Sequence, residues 1–275
     1  MIVDYHVHLR GCANGDREGP VEHTLAAVER FVETAAARQV DEIGFTEHMY
    51  YFREFEPLIK HPYQRGKIGH DLDAYVGTVV EAKRSLPVKL GLEVEWFPGR
   101  EAELAERLAP YPWDYLLGSV HLLDGEEVDR ESGVWSELSV EDVWRRYFAS
   151  LRALAESGLV DVLAHPDLVK IFGRRPSAAV VQACHEEAAE AAAASGVAVE
   201  VSTAGLRKPV GELYPDRSLL AACGRRGVGA TTASDAHRAE DVGRDFDRAL
   251  ALLGEEGYET VTVFEGRGGR QARLE

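Results

Sequence analysis

Short segments rich in β-branched and aromatic residues alternate with longer stretches of helical periodicity, which predicts an α/β fold with parallel strands joined by crossover helices. Two further observations agree. At 275 residues and 45% hydrophobic content the chain can bury one large core, and no repeat or low-complexity linker interrupts the alternation. The expected strands are 2–8 (IVDYHVH), 42–48 (EIGFTEH), 88–95 (VKLGLEVE), 115–121 (YLLGSVH), 160–166 (VDVLAHP), 197–203 (VAVEVST) and 228–235 (VGATTASD), with a further run, YETVTVF, at 258–264. One domain over 1–265 is expected, followed by a polar, glycine-rich loose tail at 266–275.

The helices follow from spacing. Val21, Leu25, Val28, Val32 and Ala35 recur with one buried face, and Pro20 suits a first turn because its missing N–H costs no internal bond. Ser139 with Asp142 reads as an N-terminal cap before the stripe Val143, Tyr147, Leu151 and Leu154. The alanine-rich stretch 177–195 reads as a third crossover helix stopped by Gly196. Residues 49–70 are the least regular long stretch and suit a lid, or an ordered surface excursion, over an active face.

Composition excludes several classes of function. Lys and Arg number 31 against 47 Asp and Glu, a net charge of −16, which opposes sequence-independent attraction to nucleic-acid backbones. No run of eighteen apolar residues and no basic, apolar, cleavable leader is present, so no membrane partner and a cytoplasmic location are expected. Cys12, Cys184 and Cys223 form neither a paired metal motif nor a disulfide framework and read as reduced structural thiols.

The histidines carry the chemistry. Asp4, His6 and His8 share one strand parity, so their side chains point together while Val3, Tyr5 and Val7 take the other face. FTEH at 45–48, GSVH at 118–121, LAHP at 163–166 and SDAH at 234–237 each end a predicted strand in histidine, and Glu93 in GLEVE is similarly placed. His6, His8, His48, His121, His165 and His237 are thus six of the ten histidines in one coherent set. In a parallel barrel such loops share one rim, where imidazole and carboxylate suit Zn, Fe or Mn. Glu93 has two oxygens with which to bridge neighbouring ions.

Through DYHVHL, GFTEH, GLEVE, LLGSVHLLDG, DVLAHPDLVKIFG, STAGLRKPVGELYP and SDAH, nearly the whole chain resembles the PHP (polymerase and histidinol phosphatase) family, and within it the monofunctional histidinol-phosphate phosphatases. The resemblance implies a distorted seven-stranded β/α barrel with a trinuclear centre. It implies His6, His8, Glu93 and Asp235 around one metal, Glu93, His121 and His165 around a second, and His48 with His237 at a third, with Glu93, Asp235 and His237 catalytic. The family's histidine eight positions after the first motif histidine is replaced by Asn14. Asn14 either supplies an amide oxygen, a weaker ligand that leaves the third ion less tightly held, or caps the turn after the first strand. Two or three divalent transition-metal ions are therefore expected.

Glu47 is expected to orient His48 or a bound water, and Asp4 to orient the first histidine pair. Arg207 is the expected phosphate clamp, with Lys208 and Lys170 adding positive potential and Arg10 and Arg53 as weaker candidates. His23, His61, His70 and His185 lack the strand-end placement. The activity implied is hydrolysis of L-histidinol phosphate to L-histidinol and phosphate, with a related phosphoesterase acting on another small phosphomonoester, or a degenerate metal-binding scaffold, as alternatives.

Overall fold

A computed structural model describes residues 1–11 and 19–274, so Cys12 and Asn14 lie outside the described residues. The strands are β1 (Val3–Val7), β2 (Glu42–Phe45), β3 (Val88–Leu90), β4 (Glu93–Glu95), β5 (Leu117–Ser119), β6 (Leu122–Leu123), β7 (Glu126–Glu127), β8 (Val162–Leu163), β9 (Ala198–Ser202), β10 (Ala230–Ala233), β11 (Thr260–Glu265) and β12 (Gly268–Arg273). Two all-parallel sheets, β1-β2-β3 and β10-β9-β8-β5-β4, form the centre of an α/β fold, and β6-β7 and β11-β12 are antiparallel hairpins. No helix of the described residues is long and apolar enough to cross a membrane.

Each expected strand is present, and all but 88–95 and 258–264 end earlier than their apolar pattern, because their last residues leave the ladder as the chain turns into a loop. The run 88–95 is also divided. Gly91 donates to the Phe45 carbonyl at 2.8 Å, whereas Leu92 accepts from Leu117 at 3.0 Å, so the chain changes partner from β2 to β5 between β3 and β4. The two sheets meet at both edges through single bridges. His48 pairs with Glu93, and Val7 pairs with Ala236, where the His8 amide donates to the Ala236 carbonyl at 2.9 Å.

Helices close the outside as their caps predict. Ser139 accepts from the Asp142 amide at 3.1 Å and starts helix Val140–Glu156, with Val143, Tyr147, Leu151 and Leu154 buried. Ser177 starts helix Ala178–Ser195, and Gly196, at φ 68°, ends it in the left-handed conformation that glycine adopts without steric cost. The first helix is shorter than its periodicity suggests. Thr24 caps Leu25–Ala37, so Pro20 and Val21 precede the helix, with Val21 bridging Arg10 instead. The expected loose tail is also corrected: β12 pairs with β11 over six register positions. Polar composition describes side chains, whereas this segment is ordered through its backbone and through Ala272, which is buried.

Between the sheets, buried tyrosines spend their hydroxyls on strand carbonyls. Tyr115 donates to the Tyr5 carbonyl at 2.8 Å, and the Tyr75 hydroxyl shares its one proton between the Phe45 carbonyl at 2.7 Å and the Gly91 carbonyl at 2.8 Å. Gly44 makes room for this arrangement, since a Cβ there would lie 1.9 Å from the Tyr115 hydroxyl oxygen. Gly44→Ala should therefore destabilise the fold by about 1–3 kcal/mol, seen as a lowered denaturant midpoint at unchanged slope. An unchanged midpoint would contradict this packing.

Candidate metal centre

Glu93, at the start of β4, is 2% exposed and is surrounded by imidazoles from four other segments. Its Oε1 lies 3.1 Å from His165 Nε2, 3.5 Å from His121 Nε2 and 3.6 Å from His6 Nε2, and it accepts from the Ser119 hydroxyl at 2.6 Å. Its Oε2 contacts His48 Nδ1 and lies 3.8 Å from His8 Nε2. Asp235 completes the approach, with Oδ1 at 3.4 Å from His8 Nε2 and 3.7 Å from His6 Nε2.

These side chains form three groups able to hold a cation: His6, His8 and Glu93; Glu93, His121 and His165; and His8, His48 and His237. Within each group the candidate ligand atoms lie within 4.8 Å of one another. His8 belongs to two groups, its ring stacking on His48 at 4.2 Å and on His237 at 4.1 Å. The donor set fits divalent ions. His6 Nε2, both nitrogens of His8 and His165 Nδ1 are buried without a hydrogen-bond partner, an arrangement that cations would relieve.

Burial opposes charge here, and the neighbours decide the outcome. Burial would raise Glu93, but His48, His6 and His121 hold its carboxyl well below the usual range, and His6, His8 and His237 do the same for Asp235. Burial pushes His48 down to about 3 and, with the neighbouring His8, keeps His237 well below its ordinary value. His121 goes the other way: burial lowers it, yet Glu95 and Glu93 outweigh that effect and lift it to about 10.

A layer of carboxylates fixes the ring orientations. Glu200 Oε2 lies 2.8 Å from His6 Nδ1, and because a carboxylate only accepts, that nitrogen carries a proton and Nε2 is the nitrogen turned toward Glu93 and Asp235, where a cation would displace its proton. Glu95 Oε2 does the same for His121 Nδ1 at 2.9 Å, and Gln64 in turn donates to Glu95 at 2.9 Å. Sequence reading missed Glu95 and Glu200. Glu95 has the strand parity of Glu93, and Glu200 is a charge inside an apolar strand, which calls for a buried partner.

Two orienting residues act elsewhere than expected. Glu47 lies 3.8 Å from His8 Nδ1, rather than on His48, and is ion-paired with Arg10 at 2.9 Å. Asp4 acts chiefly across the sheet: it accepts from the Ser234 hydroxyl at 2.5 Å, the Ser234 amide at 2.8 Å and the Gly243 amide at 2.9 Å, which clamps the loop carrying Asp235 and His237. Asp235 at φ 52° and His165 at φ 27° sit in left-handed backbone that costs about 1–3 kcal/mol each. The Asp4 clamp and the Glu200 carboxylate, which accepts from the His165 amide at 3.2 Å, hold them there.

The centre opens into a cavity of 570 Å³ that includes Arg207, Lys208, Tyr214, Glu127 and Asp129 in its lining. Tyr50, Tyr51, Tyr63, Gln64 and Lys67 also line it, so the irregular segment 49–70 walls the site. Arg207 is half-buried and donates to the Ser234 carbonyl at 2.6 Å. Lys170 is placed differently. Its ammonium is fully buried, 2.9 Å from Asp167 and donating to the Leu213 carbonyl at 2.7 Å, outside the cavity lining. Arg10 is committed to Glu47 and Tyr51, and exposed Arg53 to the Gly69 carbonyl. Of the other histidines, His23 lies 3.9 Å from Glu47, His61 lies 4.0 Å from Glu127, His70 packs against His23 at 5.5 Å, and buried His185 contacts the Ser218 hydroxyl at 2.8 Å.

Glu95→Gln would replace the acceptor that orients His121 with an amide of the same shape. Metal affinity should fall about 10–100-fold, measured by competition with a chelator. Unaltered affinity would remove Glu95 from this role.

Comparison with known proteins agrees with this geometry. Over 267 residues the chain is 32% identical to the "Probable histidinol-phosphatase" of Deinococcus radiodurans, covering 95% of this chain and 96% of that protein. It is 25% identical to the "Histidinol-phosphatase" of Bacillus subtilis over 274 residues, covering 90% and 97%. In fold it is similar to the histidinol phosphate phosphatase of Lactococcus lactis crystallised with zinc, L-histidinol and phosphate, with a TM-score of 0.76 at 22% identity over 98% of both chains. A PHP domain model matches residues 4–204. The chain belongs to the PHP domain family.

Proposed function

We propose that the chain hydrolyses L-histidinol phosphate to L-histidinol and inorganic phosphate in the cytoplasm, as a step of histidine biosynthesis. The observation that carries the hydrolytic part is the Glu93-centred cluster of histidines at the floor of a polar cavity. The substrate rests on the relatives that bear the name histidinol-phosphatase. The cavity's chemistry supports it. Arg207 and Lys208 lie on the loop after β9, whereas Glu127 and Asp129 lie on and after β7. Such a lining offers both a cationic and an anionic surface to a substrate that carries a phosphate and an ammonium group.

In this reading the two parallel sheets are parts of one distorted seven-stranded barrel. The edge bridges Val7 to Ala236 and His48 to Glu93 support it, as do the consecutive segments β3 and β4, which count as one strand. His6, His8, Glu93 and Asp235 would hold one ion, and Glu93, His121 and His165 a second. His48 and His237, with Asn14, would hold a third more weakly, because an amide oxygen is a poorer ligand than imidazole. Nitrogen and oxygen donors without cysteine favour Zn, Fe or Mn. Bound there, such ions supply Lewis acidity toward phosphoryl oxygens and lower the pKa of water. Arg207 orients the phosphate with the N–H groups it does not spend on Ser234. Lys208 adds positive potential at the cavity edge, while Lys170, buried behind it, acts on the fold of the loop rather than on substrate.

After chelation and metal reconstitution, kcat/KM for L-histidinol phosphate should exceed that for phosphomonoesters lacking the imidazole and ammonium groups by about 100-fold or more. A phosphate-release assay over a substrate panel measures this. Higher efficiency on another phosphomonoester would replace the substrate, and inactivity on the whole panel would leave a metal-binding scaffold.

A further inference from the structure

The segment GLRKPVGELYP contains a tyrosine that the metal centre and the arginine clamp leave unused. Tyr214 is 1% exposed and lines the same cavity as His165, Arg207 and Asp235. Its hydroxyl has no hydrogen-bond partner among the described residues. The other buried tyrosines described above spend their hydroxyls on carbonyls 2.7–2.8 Å away. A buried hydroxyl left unpaired is costly and needs a reason.

The surroundings hold the ring while leaving its polar end unspent. The Tyr214 amide donates to the Ser202 carbonyl at 3.0 Å, and the Ser202 amide donates back at 2.6 Å, which pins the loop to the end of β9. Gly205 lets backbone and ring approach closely, since a Cβ there would lie 3.0 Å from the ring edge and 2.1 Å from the Glu212 carbonyl oxygen. The buried Lys170 ammonium lies 5.4 Å from the ring centroid and is anchored by Asp167 and the Leu213 carbonyl. Lys170 therefore acts on this loop as a positioning residue.

Meanwhile, Arg207 has N–H groups committed to the Ser234 carbonyl at 2.6 Å and the Thr203 carbonyl at 3.5 Å. A phosphate in the cavity has more acceptor sites than the remaining guanidinium N–H groups fill.

We propose that the Tyr214 hydroxyl donates a hydrogen bond to a phosphoryl oxygen of the bound substrate and of the product phosphate. The proposal rests on the phosphomonoesterase reading above, and its test separates the two. Tyr214→Phe keeps the ring and its contact with Lys170 and removes only the hydroxyl. With both proteins loaded with the same divalent metal, the Kd for inorganic phosphate measured by calorimetry should rise about 10–100-fold in the variant. Catalytic efficiency on L-histidinol phosphate should fall by a similar factor. Metal content and melting temperature should not fall, because the deleted hydroxyl stabilises nothing in the ligand-free fold. Equal phosphate affinity in the two proteins overturns the role of Tyr214 and leaves the phosphatase reading standing. A loss of metal or of melting temperature that accounts for the weaker binding also overturns it, assigning Tyr214 to packing. Failure of the wild-type protein to bind phosphate overturns both.

Discussion

Glu93 is a carboxylate withheld from water, and ionising such a group without compensation costs several kcal/mol even after the protein relaxes. Its compensation comes from imidazoles at the ends of different strands: His6 in β1 and His8 just after it, His48 after β2, His121 after β5 and His165 after β8. No single element could supply so many rings to one carboxylate. Parallel strands do so because their carboxyl ends face the same way, so the sheet topology and the site satisfy one constraint. The break between β3 and β4 belongs to the same arrangement, since there the chain leaves β2, joins β5 and carries Glu93 into the middle.

The outer carboxylates resolve a second difficulty. An imidazole has two nitrogens, and a ligand set fails if the proton sits on the wrong one. Glu200 and Glu95 hold Nδ1 of His6 and His121, which leaves Nε2 facing inward. Glu200 also receives the His165 amide, and Asp4 receives Ser234 and Gly243, so the same buried charges steady two positive-φ residues of the site, His165 and Asp235. Backbone strain at these positions is thus offset by polar groups that are themselves sequestered from water.

Much of this was legible before the structure, for identifiable reasons. A histidine at the end of a predicted strand, repeated in FTEH, GSVH, LAHP and SDAH, is a positional signal that survives errors in strand length. The partners of those histidines were less visible. Glu47 and His48 are adjacent in sequence, yet Glu47 lies beside His8, a neighbour that only the pairing of β1 with β2 brings close. Lys170 read as a phosphate ligand from its charge alone, but its burial depends on Asp167 and on a carbonyl forty-three positions away, which local sequence does not encode. The polar end of the chain read as loose because composition reports side chains, whereas β12 is held by backbone pairing.

The central proposal is that Glu93 would serve two cation positions, one with His6 and His8 and the other with His121 and His165, its Oε1 lying nearest His6, His121 and His165 and its Oε2 nearest His48 and His8. Anomalous scattering from crystals of the metal-loaded protein tests it most directly. The account predicts two ions on either side of the Glu93 carboxylate, each about 2.0–2.2 Å from one of its oxygens. Ions bound by the histidines with Glu93 turned away from both, or a single ion that leaves His121 and His165 without metal, would contradict it.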